Sequence, residues 1–369
     1  MKNYLNVIAW NIIFLLIGII LIELFYGNWF ANKELTHLKI LKNRTWHYEF
    51  NYPGILEQDK KITYTRDRWG LRGNYGTPEN IHILTIGGST TDQRYITDGH
   101  TWQDVLTKKF AENTKDIHIA NAGIDGRTTF GHLHDFNFWF PNIDKLQPNY
   151  ILFYIGINDM FFSQPNSSYD QAYATSQSLI TKLKNNSAVY SLAHSLVGTY
   201  FSIERNMDHR SIDYTNVVWT NNSIQSNYKQ RLDKRLENYR KRYTQLLKMA
   251  SKLNAVPIIV TQPRGDSKFV DGRLFGLSNV FPRSGMAFYD SELGKLDNTT
   301  ANGVDYYRIL SLFNSISMEL CEKINAICID LANELSFDDK DFYDHAHNTR
   351  SGAEKIGEYL YSKLSPIIK

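Results

Sequence analysis

The chain of 369 residues has only two cysteines, Cys321 and Cys328. Two thiols cannot build a disulfide-dense scaffold or a four-thiolate zinc site, and a buried free thiol is the expectation at each position. Charge of one sign is also scarce: 41 Lys and Arg against 38 Asp and Glu leave a formal net charge of +3. So small an excess makes no polyanion-binding surface, and nucleic acid is not an expected partner. Internal repeats and low-complexity tracts are missing. No Gly-x-Ser-x-Gly elbow is present, which argues against an ordinary α/β-hydrolase. Gly87-Gly88 lacks the third glycine of a dinucleotide fingerprint and the lysine of a phosphate loop. With 42% hydrophobic and 21% charged residues, neither general disorder nor a polytopic membrane protein fits.

What the chain does contain starts with one long apolar run, Leu5 to Phe25, in which Ile12 to Ile22 carries no polar side chain. About 20 such residues match a hydrocarbon core of about 30 Å. A cleavable signal peptide competes with this reading, but Tyr26-Gly-Asn-Trp-Phe-Ala-Asn lacks an A-x-A-like pair, and Tyr26, Trp29 and Phe30 resemble an interfacial belt. The expectation is an uncleaved single-pass anchor over residues 1–27. Lys2 precedes the span, whereas Lys33, Lys39, Lys42 and Arg44 follow it; taken literally, that places the globular part in the cytoplasm.

Residues 28–80 read as a connector and lead-in, and 81–369 as the main domain. Short apolar, β-branched runs recur there: Ile81–Ile86, Ile117–Ala120, Tyr150–Ile155, Val256–Thr261 and Ala326–Asp330. Segments with helical spacing separate them, most clearly Leu232, Leu236, Tyr239, Tyr243, Leu246, Ala250 and Leu253. A last helix follows Gly352. The alternation predicts an α/β fold with a mostly parallel sheet covered on both faces. Functional groups then gather beyond the carboxyl ends of the strands. Polar stretches near 163–226 and 265–302 read as insertions that roof a site.

Chemistry-bearing residues stand at those positions. Gly87-Gly88-Ser89-Thr90-Thr91 follows the first strand, Asn121-Ala122-Gly123 the second, and Gly156-Ile157-Asn158-Asp159 the third, while Asp344-His345-Ala346-His347 precedes the last helix. Singly each is an ordinary turn; together and in this order they are specific. From about residue 62 to 365 the chain resembles the SGNH (GDSL-like) hydrolase superfamily in its membrane-anchored bacterial form. Trp69-Gly-Leu-Arg-Gly matches the lead-in of those members, and Gly-Gly-Ser-Thr stands where the family's name has Gly-Asp-Ser-Leu. The resemblance implies a three-layer α/β/α, flavodoxin-like fold with a five-stranded sheet. It also implies a serine esterase of a bacterial inner membrane, acting on O-acyl, chiefly O-acetyl, esters of a glycan, glycolipid or small ester. The surface-glycan link favours an extracytoplasmic domain, against the charge count.

An unactivated serine needs an adjacent base. His347 would take the Ser89 proton and return it to the leaving alkoxide, and Asp344 would orient the imidazole. The resemblance assigns the oxyanion donors to the N–H groups of Ser89 and Gly123 and the amide of Asn158. Arg264, after the fourth strand, and His345 are candidate substrate contacts. No cofactor and no metal is expected, although Asp338, Asp339, Asp341, Asp344, His345 and His347 form a dense group of ligand types. A paired-carboxylate glycosidase using Asp159 and Asp344 would leave Ser89 and Gly123 without a role. The remaining alternatives are an O-acyltransferase using the same site and a non-catalytic subunit of a polysaccharide-assembly complex.

Overall fold

A computed structural model describes residues 2–27, 29, 40–50, 59–162, 211–224, 226–278, 301–324 and 326–368, with scattered residues between 165 and 209. Most of the first expected insertion and residues 279–300 of the second lie outside the described residues. The helix α1, Lys2–Tyr26, comes first. Its stretch Tyr4–Tyr26 has a mean hydropathy of 2.6 and is the one helix among the described residues long and apolar enough to cross a membrane. Its side chains are not covered by the rest of the chain. A signal sequence has the same properties.

The lead-in contains more than a linker. Strands β1, Arg44–Glu49, and β2, Lys61–Arg66, pair antiparallel, Trp46 opposite Tyr64 and Tyr48 opposite Ile62. The central sheet then begins with β3, Ile83–Gly87. Along the chain follow α2, Ser89–Asp92; α3, Trp102–Glu112; β4, Ile119–Asn121; α4, Thr129–His134; and β5, Tyr150–Tyr154. Two short strands, β6 (Glu204–Arg205) and β7 (Trp219–Thr220), precede α5, Asp233–Lys252. The remainder is β8, Val256–Val260; β9, Ser267–Val270; β10, Arg273–Leu277; α6, Gly303–Lys323; β11, Ile327–Ile329; and α7, Arg350–Leu364.

All five expected strands of the main sheet form, in the order β11-β8-β5-β3-β4 and with every pair parallel. Strand residues alternate between two apolar cores because successive side chains point to opposite faces. Leu84, Ile86, Ile151, Phe153 and Ile259 meet Leu236, Tyr239, Tyr243 and Leu246 of α5 and Phe313 of α6. Ile83, Leu152, Tyr154, Ile258 and Ile329 meet Trp102, Leu106 and Phe110 of α3 and Ile356 and Leu360 of α7. Burial on both faces explains why these strands read as continuous apolar runs. Helix α3 is started by a reciprocal Thr101–Asp104 capping box and α7 by Thr349, whose hydroxyl accepts from Gly352 N.

The cysteines correct the sequence expectation. Cys321 in the last turn of α6 and Cys328 in β11 form a disulfide, with Cα atoms 5.8 Å apart. The helix reverses into the next strand within a few residues, which brings both thiols into bonding range. An alkylating reagent should therefore modify no cysteine of the denatured, unreduced protein and both after reduction, as read by mass spectrometry. On the other face of the sheet, Phe110→Ala should cost about 3–5 kcal/mol in a denaturant titration.

Candidate active site

The strand order reverses direction between β3 and β5, and in open α/β sheets a crevice forms beyond the carboxyl ends at such a point. Ser89 opens α2 directly beyond β3. That helix lasts one turn and ends at Gln93 in a left-handed conformation, φ 48°. The serine thus sits on a sharp strand-to-helix turn, with its N–H in the first turn, where no intrahelical partner exists.

The catalytic loop arrives from the other end of the domain. Asp344 Oδ1 accepts the backbone N–H groups of Ala346 (2.9 Å) and His347 (2.7 Å), so the carboxylate itself closes the turn. Its other oxygen lies 2.7 Å from His347 Nδ1. This geometry gives Asp-x-x-His its three-residue spacing: one carboxyl group shapes the turn and orients the ring it creates. His347 Nε2 lies 2.6 Å from Ser89 Oγ. The arrangement allows Nδ1–H to donate to Asp344 while Nε2 accepts from the Ser89 hydroxyl. Burial works against ionisation of Asp344, but the imidazoles of His347, His345 and His209 outweigh it and hold the carboxyl well below its usual range.

Asn158 follows β5. One of its amide hydrogens is directed to the Arg127 carbonyl oxygen, 2.8 Å away. A Cβ placed on Gly88 would stand 2.3 Å from Asn158 Nδ2, so the amide lies against the serine's own turn. At Gly123 an added Cβ would meet Asp92 N at 2.4 Å and Thr91 C at 2.7 Å. Glycine is required there for packing against α2. The Gly123 N–H donates to Asn121 Oδ1 at 2.8 Å, so an oxyanion would have to share that donor or displace the amide.

Several supports carry no motif. Gln262, after β8, donates from Nε2 to Thr90 Oγ1 (2.8 Å) and accepts Ile157 N–H at Oε1 (2.7 Å), joining the serine turn to the Asn158 loop. Buried Arg66 donates to the Asp92 carboxylate and to the Gly123 carbonyl. Arg72 donates to the carbonyl oxygens of Asp92 (2.7 Å) and Gln93 (2.8 Å). The Arg66-Asp-Arg-Trp-Gly-Leu-Arg run was visible in the sequence, but nothing in it revealed that its arginines brace this turn. His209 had no sequence signal; its ring stacks on His347 with centroids 4.1 Å apart.

The two candidate substrate contacts have different surroundings. The Arg264 side chain is buried; its Nε and Nη2 both donate to Asp266 and its guanidinium lies over the Tyr306 ring. His345 stands edge-on to His347, centroids 6.3 Å apart. Burial pushes the His345 pKa down to about 3; Asp344 opposes this, while Arg264, His347 and His209 add to it. Of the acidic tract, Asp338 and Asp341 bind Lys355, and Asp339 binds Lys268. Ligand atoms of His209, Asp344 and His347 lie within 4.8 Å of one another. Both His347 nitrogens are already engaged, so a metal there would have to displace Ser89 or Asp344.

The family model described as GDSL-like Lipase/Acylhydrolase matches residues 85–355. The chain belongs to this family. It is an ester-hydrolysing enzyme with the α/β fold described above. No curated protein matches it. Solved structures similar to it include a catalytic mutant of an acetylxylan esterase from Geobacillus stearothermophilus, 12% identical over 76% of this chain and 93% of that one, TM-score 0.40. A psychrotrophic esterase from Pseudoalteromonas sp. is 14% identical over 77% and 96%, TM-score 0.38. A second acetyl xylan esterase is 11% identical over 78% and 99%, TM-score 0.42.

The depressed His345 pKa has a consequence for stability. Below pH 6.5 the unfolded chain protonates this ring while the folded state keeps it neutral, so stability falls as pH drops from about 6.5 to about 3. His345→Gln should flatten that part of the melting-temperature profile; an unchanged slope would contradict the assignment.

Proposed function

We propose that this GDSL-like enzyme is a membrane-anchored serine esterase that removes O-acyl groups, chiefly O-acetyl, from a glycan or glycolipid. The observation that carries the reading is the unbroken line Ser89 Oγ, His347 Nε2, His347 Nδ1, Asp344 Oδ2, with contacts of 2.6 and 2.7 Å. Ser89 attacks the ester carbonyl as its proton passes to His347 Nε2, and Asp344 stabilises the resulting imidazolium. The oxyanion forms beside the Ser89 N–H and the second amide hydrogen of Asn158, with Gly123 N–H as third donor once released from Asn121. Collapse expels the sugar alkoxide, which takes the proton from His347. Water, deprotonated by the same imidazole, then frees the acid and restores Ser89.

The substrate class draws on the polar wall beside the triad. Arg94 and Asp125, about one-fifth exposed, pair at 3.3 Å and suit a hydroxyl-rich leaving group better than a lipid chain. In this reading residues 1–27 are the anchor, 28–80 the lead-in and 81–369 the catalytic domain with its two insertions. The disulfide supports an extracytoplasmic domain, because such bonds persist in oxidising compartments.

Ser89→Ala and His347→Ala should each lower kcat/KM for a short-chain aryl ester at least about a thousandfold, whereas His345→Ala should lose far less. A reversed order of the two histidines would sink the assignment. Asn158→Ala should cost about 10²–10³ in kcat. On intact cells, a membrane-impermeant fluorophosphonate should label the wild type but not Ser89→Ala; labelling by a permeant probe alone would put the domain inside.

A further inference from the structure

His209 and residues 211–214, from the first expected insertion, lie along the loop that carries His347. Ile212 N donates to the Tyr343 carbonyl oxygen at 2.8 Å. Tyr214 Oη donates to the carbonyl oxygens of Asp344 (3.1 Å) and Gly265 (3.0 Å). His209 Nδ1 lies 2.9 Å from Tyr343 Oη. The His209 ring covers one face of the His347 imidazole, planes inclined by 22°. Its Nε2 lies 3.9 Å from Asp125 Oδ2, and Tyr95 packs edge-on against it at 4.9 Å. A side chain stacked on the general base while bonded at one edge and facing a carboxylate at the other has more than a space-filling role.

We propose that His209 is a positioning residue for ester hydrolysis: stacked on His347 and held by Tyr343 and Asp125, it keeps the imidazole in line between Ser89 and Asp344. The proposal rests on the Ser89–His347–Asp344 reading. A ring free to tilt would lose one of its two hydrogen bonds, and misplacement of a reacting group is costly in rate.

The stack also has an electrostatic consequence. The groups facing His209 are Asp125 beyond β4, Arg94 beyond α2, and Asp344, His345 and His347 in the catalytic loop, together with the phenols of Tyr343 and Tyr95. Burial and Arg94 lower its proton affinity, but the bond to Asp125 and the charges of Asp125 and Asp344 outweigh them, and the pKa is raised. The Asp125 carboxyl is held low in turn by His209 and Arg94. The contact with Asp125 holds the His209 ring at the edge opposite Tyr343 and so keeps it against the face of His347.

The test is the pH profile of kcat/KM on a short-chain aryl ester, using full-length protein in detergent micelles. His209→Phe retains a flat ring able to stack on His347; it should lose only about threefold, with the loss in kcat rather than KM. His209→Gln retains a polar partner for Tyr343 without the ring and should lose about tenfold at every pH. A loss carried by KM rather than kcat in His209→Gln overturns the proposal, as does activity within twofold of wild type at every pH for both variants. Equal loss in both at every pH overturns it too, since packing alone would explain that result. Ser89→Ala, measured alongside, separates the two readings. If that variant still hydrolyses ester, the triad reading has failed; if it is inactive while both His209 variants keep wild-type activity, only the present inference falls.

Discussion

Ser89 and His347 are 258 positions apart in sequence and 2.6 Å apart in space, and the fold exists around that contact. Parallel strands allow it. Every strand of the main sheet points the same way, so each β-to-loop transition lands on one rim, however far apart the loops are along the chain. Closing so long a loop costs entropy, though only logarithmically in its length. The two apolar cores on either face of the sheet offset it through surface removed from water.

The same rim is crowded with buried ion pairs: Arg66 with Asp92, Arg127 with Asp135, Arg242 with Asp159 and Arg264 with Asp266. Such pairs are a poor source of net stability, because two charges must leave water. Removing one partner is far worse, since the other is left buried and uncompensated. Here each pair also holds backbone or a neighbouring side chain in place. Asp159 caps the start of α4 through Thr129 while lying next to Asn158, and Arg66 grips both α2 and the Gly123 carbonyl. The loops that converge on the serine are therefore tied to one another, with Gln262 joining the serine turn to the Asn158 loop.

Much of this was legible in the sequence, for identifiable reasons. The strands announced themselves because both sheet faces are buried, leaving runs such as Ile83–Ile86 without polar interruption. Ser89, Asn158, Asp344 and His347 could be picked out because loops after strands carry few residue types that do chemistry, in a fixed order. Arg264 could not be placed, because a charged residue after a strand looks the same whether it faces solvent or an internal carboxylate. The cysteine pair was misread since spacing alone does not reveal that α6 turns straight back into β11. The packing role of Gly123 was not visible in the sequence: its missing Cβ makes room for Asp92 and Thr91, a contact made across the fold. His209 was beyond reach, as its meaning comes from a ring 138 positions away.

His209 and residues 211–214 stand outside the regular alternation of strands and helices, yet they are hydrogen-bonded to the loop that carries His347. Chemistry and its tuning are thus encoded in separate stretches of the gene. An insertion can be exchanged, lengthened or resculpted while the serine, the histidine and their sheet stay as they are. Sequence change there can alter how firmly the His347 ring is held without touching the serine or the sheet that presents it.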